Sequence, residues 1–116
     1  MTGLRGRWRI VDMDTWDRDA IDLAGPGFIE FTDDATGQFG FIAVQGWMDW
    51  RTTERDGRTR VEFSWDGDDE GDQVSGRGWA VVNDDRTLDG HVFIHMGDDS
   101  GFRAVPWTEA DERDAE

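Results

Sequence analysis

Short runs of alternating hydrophobic and polar residues, separated by stretches rich in glycine and aspartate, recur along this chain of 116 residues. The clearest run covers residues 60–66, where Val61, Phe63 and Trp65 share one face and charged or hydroxyl residues share the other. A period of two is typical of a strand with one buried face. The stretches between the runs contain the residues that favour turns. The pattern therefore predicts a meander of short strands.

Eight strands are predicted, over residues 6–13, 28–32, 38–45, 47–54, 60–66, 73–83, 88–96 and 102–107. A tight corner at Gly46 separates the third strand from the fourth. An open meander would expose two apolar edges, and closure into a ring removes both. We therefore predict an all-β fold, an eight-stranded up-and-down antiparallel barrel. Gly76 and Gly78, in the longest strand, indicate either a bend or a place where a large group packs against the backbone.

One segment departs from the strand pattern. Trp16, Ala20 and Leu23 recur at helical spacing and predict a short helix, with Asp14 or Thr15 as its N-terminal cap. This helix would lie between the first two strands and cover one end of the barrel.

The domain organisation is simple. Residues 108–116 are polar and charged, which predicts a flexible acidic tail. Residues 1–107 then form a single barrel domain, because the pattern shows neither an internal repeat nor a second domain.

Composition narrows the classes of function. The chain has 12 basic and 27 acidic residues, a formal net charge of −15. This charge repels phosphate backbones and anionic lipid surfaces, so we expect neither a nucleic acid nor a membrane as partner. The sequence has no cysteine, no signal-peptide pattern and no apolar run of the ~18 residues that a membrane helix needs. We therefore expect a cytoplasmic protein, and we attribute the abundant aspartate and arginine to a GC-rich or salt-adapted host.

The seven tryptophans and seven phenylalanines are many for so small a chain, and Trp47, Trp50, Trp65 and Trp79 cannot all be needed to fill a narrow barrel. Two interpretations stay open: packing of the core and barrel ends, or an aromatic wall around a ligand cavity that the helical segment closes. Arg77 could hold an anionic group of a ligand or stack on a ring, and it could equally pair with Glu62 on the outside. The candidate ligand-binding residues are Trp47, Phe63, Trp65, Arg77, Trp79, His91 and His95.

Histidine and acidic residues offer little for metal binding or catalysis. His91 and His95 share a face of the seventh strand but stand ~13 Å apart, too far to share a metal ion. We interpret them as separately hydrogen-bonded or solvent-facing, because the sequence identifies no carboxylate partner for a general acid or base. Residues 66–72 are spaced like the start of an EF-hand loop, but Arg77 stands where a glutamate ligand is required. We interpret them as a solvated turn and predict no metal, no cofactor and no catalytic residue.

The segment Gly6-Arg7-Trp8 resembles the Gly-x-Trp motif of the calycin superfamily, which includes the lipocalins and avidins. The resemblance implies a barrel in which Trp8 plugs one end, Arg103 packs across it as a structural partner, and the first connection covers the mouth. The chain also resembles uncharacterised bacterial proteins. The similar segments are Trp-Arg-Ile-Val, Glu-Phe-Ser-Trp, Gly-Arg-Gly-Trp-Ala and Gly-Asp-Asp-Ser, at residues 8–11, 62–65, 76–80 and 97–100. This second resemblance implies a family and no activity.

Three functional hypotheses follow. The first is a non-catalytic barrel that binds a small apolar or aromatic ligand. The second is a structural or interaction module with a filled core that forms a homodimer through an outer apolar patch. The third is a small enzyme that uses His91 or His95, which requires a histidine at the foot of a pocket beside a carboxylate. We favour a non-enzymatic function.

Overall fold

A computed structural model describes residues 4–32 and 34–115, which form eight strands and two short helices. The elements in chain order are β1 (Gly6–Met13), α1 (Arg18–Ile21), β2 (Phe28–Phe31), β3 (Thr36–Phe41), β4 (Val44–Arg55), β5 (Arg58–Asp69), β6 (Asp72–Val82), β7 (Leu88–Ile94), β8 (Asp99–Pro106) and α2 (Glu109–Asp114). Each strand pairs antiparallel with the next, and β8 pairs with β1 to close the barrel. The predicted fold class is confirmed, including the short helix after the first strand.

Side chains fill the barrel interior. Buried and exposed residues alternate along the strands, most regularly in β5, as a closed sheet around one core requires. The cavity between the core side chains has a volume of about 10 Å³. That is roughly the space of one water molecule and far below the ~300 Å³ of a small-molecule pocket.

Glycines opposite aromatic rings make this packing possible. Phe63 lies directly opposite Gly78, and Trp65 lies directly opposite Gly76. A Cβ atom at Gly78 would lie closer to the Phe63 ring than real Cβ contacts allow. These two glycines are therefore places where large side chains cover the backbone. Two further pairs share the arrangement: Phe39 with Gly46, and Phe102 with Gly90.

The turns that join β4, β5 and β6 are shorter than predicted. Asp56–Gly57 joins β4 to β5 and Glu70–Gly71 joins β5 to β6, with positive φ at all four residues. This is the backbone conformation of tight two-residue hairpins. The predicted solvated turn over residues 66–72 is therefore wrong for residues 67–69, which belong to β5, and for Asp72, which begins β6.

The predicted corner at Gly46 is also wrong. β3 ends at Phe41 and β4 begins at Val44, so the turn consists of Ile42 and Ala43. Ile42 has a φ of 56°, and its N–H donates to the carbonyl of Ile21 at 2.8 Å. A β-branched residue rarely adopts this conformation. The sequence does not indicate a turn here, because neither residue is a glycine or an asparagine.

The first helix is shorter than predicted and buries a different residue. α1 starts after Asp17, whose carboxylate accepts a hydrogen bond from the N–H of Ala20. Ile21 is fully buried, whereas Leu23 is 68% exposed. The helix ends at Ile21, so Leu23 lies outside the helical spacing that placed it on the buried face.

Part of the predicted flexible tail is helical. Thr108 caps α2 in a reciprocal arrangement with Asp111, in which each side chain bonds to the other's backbone N–H. Asp111 also pairs with Arg9 of β1, with Nε and Oδ1 3.3 Å apart. This ion pair ties α2 to the barrel wall. Neither helix is long and apolar enough to span a membrane, which holds for every helix among the described residues.

Candidate functional site

The seven predicted ligand-binding residues divide between the two faces of the barrel wall. Phe63 and Trp65 are buried in the core. The other five lie on the outer side of β4, β6 and β7 or just beyond β7: Trp47, Arg77, Trp79, His91 and His95. They cannot line an interior cavity, so any site that they form is outside the barrel.

Small side chains create a groove across the outer face of β4, β5, β6 and β7. Two open depressions of about 620 Å³ each meet at Ser64. We call this surface the outer groove; its principal residues are Trp47, Asp49, Ser64, Asp66, Ser75, Arg77 and Phe93. The register explains the low floor, because Ser64 lies opposite both Asp49 and Arg77, and Ser75 lies opposite Asp66.

The half of the groove on β4 is acidic and aromatic. Trp47 projects outward and is 50% exposed. Asp66 lies directly opposite Trp47 on β5, and Asp49 is two residues further along β4 on the same face. Among the described residues that line this half, none is an arginine or histidine. A cation would therefore meet both an aromatic ring and two carboxylates here.

The half on β6 and β7 contains basic residues. The guanidinium carbon of Arg77 lies 5.7 Å from the centre of the Phe93 ring. His95 and Met96, which is 94% exposed, border this half beyond the end of β7. The alternative pairing of Arg77 with Glu62 is replaced by an ion pair between Glu62 and Arg60, with Oε2 and Nε 3.6 Å apart.

His91 lies beside the outer groove, between two aromatic rings. Its ring centre is 6.4 Å from that of Trp79 and 4.5 Å from that of Phe93. Its Nε2 atom lies 2.5 Å from Oδ2 of Asp99. This carboxylate is the partner that the sequence did not identify, because Asp99 was part of a predicted turn and is the first residue of β8.

The positions of the two histidines differ from the position that the enzyme hypothesis described. The His91–Asp99 pair lies on the outer side of the barrel wall, with the Asp99 side chain 55% exposed. His95 is exposed in the turn after β7. Neither histidine lies at the foot of a pocket, which was the condition set for the enzyme hypothesis.

The two residues marked by the calycin resemblance lie on opposite faces of the wall. Trp8 is buried, and its indole N–H donates to the carbonyl of Leu4 at 2.9 Å. Arg103 is exposed on β8, where its Nε lies 3.1 Å from Oδ1 of Asp89. Arg103 therefore does not pack across Trp8.

A buried ion pair on the outer side of β1 was missed by the sequence analysis. Arg9 is 5% exposed and donates to both carboxylate oxygens of Asp22, at 2.8 and 2.7 Å. It also donates to the carbonyl oxygens of Ile10 and Gly27. These bonds hold the pKa of Asp22 down to about 2, with the Arg9 hydrogen bond as the largest cause. Asp111 of α2 is a second acidic partner of Arg9. Arg9 therefore holds two segments against the barrel wall, and we assign Arg9, Asp22 and Asp111 a structural role.

Asp49, Ser64, Asp66 and Phe93 were also missed as site residues. Alternation along each strand could have placed them on the outer face. It could not align them with Trp47 and Arg77, because that alignment depends on the hairpin turns. Within residues 4–32 and 34–115, no group of three or more histidine, cysteine or acidic side chains could hold a metal ion.

Comparisons with protein-family models, with curated proteins and with solved structures find no match for this chain. The fold and site define a small closed β-barrel with a filled interior and a groove on its outer wall.

Proposed function

We propose that this protein is a non-catalytic interaction module that binds a polypeptide segment across the outer groove. The carrying observation is where the free space lies: only about 10 Å³ is left among the core side chains, whereas two open depressions meet on the outer wall. An interior ligand would have to displace packed core side chains, which destabilises the fold. A partner on the outer wall requires no such displacement.

The shape of the outer groove suits an extended polypeptide. Trp47 lies at one end and Phe93 at the other, with serines between them. Strands lie ~4.8 Å apart, so β4 and β7 are separated by about 14 Å, a distance that four or five extended residues span. The exposed ring of Trp47 and the partly exposed ring of Phe93 supply the kind of contact that dominates binding energy at interfaces.

Charge favours a different molecule over a second copy of this chain as the partner. Each chain has a formal net charge of −15, and two such chains repel each other at long range. A polypeptide of positive net charge is attracted instead, and it associates faster at low salt. We therefore propose a basic partner in place of the homodimer hypothesis.

A selection of random 12-residue peptides displayed on phage tests this function. We expect the protein to select peptides that lose binding when Ser64→Trp fills the outer groove. Thr53→Trp is the matched control, because Thr53 is exposed on β4 and does not line the groove. Native mass spectrometry should show a monomer with no bound small molecule. Peptides that bind both variants equally would refute the proposal, as would a dimer or a co-purified ligand.

A further inference from the structure

We infer that the acidic half of the outer groove binds the guanidinium group of an arginine in the bound polypeptide. The inference rests on the proposed function and adds the chemistry that recognises the partner. Its elements are the exposed indole of Trp47 and the carboxylates of Asp49 and Asp66 beside it.

Most outward-facing aromatic rings of this protein are covered by an arginine side chain, and Trp47 is not. Four of them have a guanidinium group above the ring face, with the guanidinium carbon between 4.5 and 5.7 Å from the ring centre. These are Phe28 and Trp107 with Arg7, Trp79 with Arg60, and Phe93 with Arg77. Trp47 is more exposed, and within the described part of the chain no cation lies over its ring. Its face is open to a cation from another molecule.

The carboxylates near Trp47 are also open to a partner. Neither Asp49 nor Asp66 forms an ion pair with another described residue. Residues opposite each other on neighbouring strands have Cβ atoms ~5 Å apart, and residues two apart on one strand are ~7 Å apart. Both carboxylates therefore lie within reach of a group stacked on the indole. Arg51, the next outward-facing residue after Asp49, lies opposite Glu62 instead.

Guanidinium suits this geometry better than an ammonium group. It is planar, so it can lie flat on the indole while its edge donates to carboxylate oxygens in the same plane. A lysine ammonium is a compact, strongly hydrated charge and cannot combine the two contacts as well. The site should therefore prefer arginine to lysine, and both to an uncharged isostere.

Three synthetic peptides test this preference: Gly-Ser-Gly-X-Gly-Ser-Gly with acetylated and amidated ends, where X is arginine, lysine or citrulline. Nuclear magnetic resonance titration of the 15N-labelled protein reports both affinity and location. We expect the arginine peptide to shift the Trp47 indole resonance and the amides of residues 47–49 and 64–66. Citrulline keeps the shape and loses the charge, so its peptide should bind about tenfold more weakly or worse.

Paired variants locate the site. Trp47→Ala should weaken binding of the arginine peptide by about 5- to 30-fold, whereas Trp79→Ala should leave it unchanged because Arg60 already covers that ring. Asp49→Asn should weaken it by about threefold or more, and the charge-matched Asp84→Asn, in an exposed turn, should not. Trp47 is exposed, so its loss leaves the core intact, and the dispersion of the amide resonances verifies folding.

Two outcomes would overturn the inference and separate it from the proposed function. If the arginine peptide fails to bind, or binds Trp47→Ala and wild type equally, guanidinium recognition at Trp47 is refuted. The phage selection then decides the proposed function alone. Groove-dependent peptides without arginine would preserve the interaction module and refute only its arginine site.

Discussion

At the scale of single residues, Arg9 shows how a charge can be buried outside the core. It lies on β1 between the inward-facing Trp8 and Ile10, so its side chain leaves the barrel wall on the outer side. The segment around Asp22 and helix α2 with Asp111 cover it. Burial of a guanidinium is tolerated because its donors meet carboxylates and carbonyl oxygens. Nothing in the sequence pattern identifies Arg9 among the 12 basic residues, because its partners are brought to it by tertiary structure.

The pKa of Asp22 makes this pair visible in the pH dependence of stability. Its pKa is about 2 in the folded protein, lowered mainly by the Arg9 hydrogen bond, against ~3.9 in an unfolded chain. A lowered pKa contributes stability above pH ~4 that is lost as the pH falls towards ~2. With allowance for solvent screening, we expect this contribution to be about 1 kcal/mol.

Urea unfolding of wild type and Asp22→Asn between pH 2 and 7 measures the contribution. The variant should be less stable at pH 7, and its stability should fall less steeply below pH 4. Asp19→Asn, in the same connection and exposed, controls for the change in net charge. Parallel pH curves for wild type and Asp22→Asn would show that the Arg9–Asp22 bond contributes nothing.

At the scale of elements, the pairing of aromatic rings with glycines determines how strands pack. Gly78→Ala should destabilise the protein by about 2–4 kcal/mol, because the new Cβ would meet both the Phe63 ring and the carbonyl oxygen of His91, the latter at 2.6 Å. Gly40→Ala is the matched control on the outer face. The three atoms nearest to its Cβ all belong to the Phe28 ring, the closest at 3.0 Å, so the contact is milder than the one at Gly78. Equal losses in urea unfolding would contradict the packing role of Gly78.

Element type could be predicted from this sequence more completely than element pairing. Alternation in β5 identified Val61, Phe63 and Trp65 as core residues, and all three are buried. It could not place the turn at Ile42 and Ala43, whose residues lack the usual turn chemistry. An error of that kind changes which residues lie opposite each other. For this reason Trp47 could be named as a candidate, while its neighbour Asp66 could not.

At the scale of the whole molecule, the barrel is too narrow for its aromatic residues to surround a cavity. Trp8, Trp50 and Trp65 are buried together with five phenylalanines, and the space left between the core side chains is about 10 Å³. Trp47, Trp79 and Trp107 remain on the outer side or beyond the strands, and Arg60 and Arg7 cover the latter two. In the proposed function, the aromatic residues that the core does not need therefore contribute to a binding surface on the outer wall and not to the wall of a cavity.

The net charge of −15 gives salt opposite effects on stability and on binding. Ions screen repulsion among the surface carboxylates, including the five between residues 66 and 72, over a Debye length of ~10 Å at 0.1 M. Raising NaCl from 10 to 150 mM should therefore increase the melting temperature by several degrees, about 1 kcal/mol of stability.

The same screening should weaken binding of a basic peptide, because that attraction acts between exposed charges. Calorimetry and peptide titration over one salt series test both. A melting temperature that falls with salt would mean that local ion pairs such as Arg103–Asp89 outweigh the net repulsion, and peptide affinity that is independent of salt would mean that charge does not select the partner.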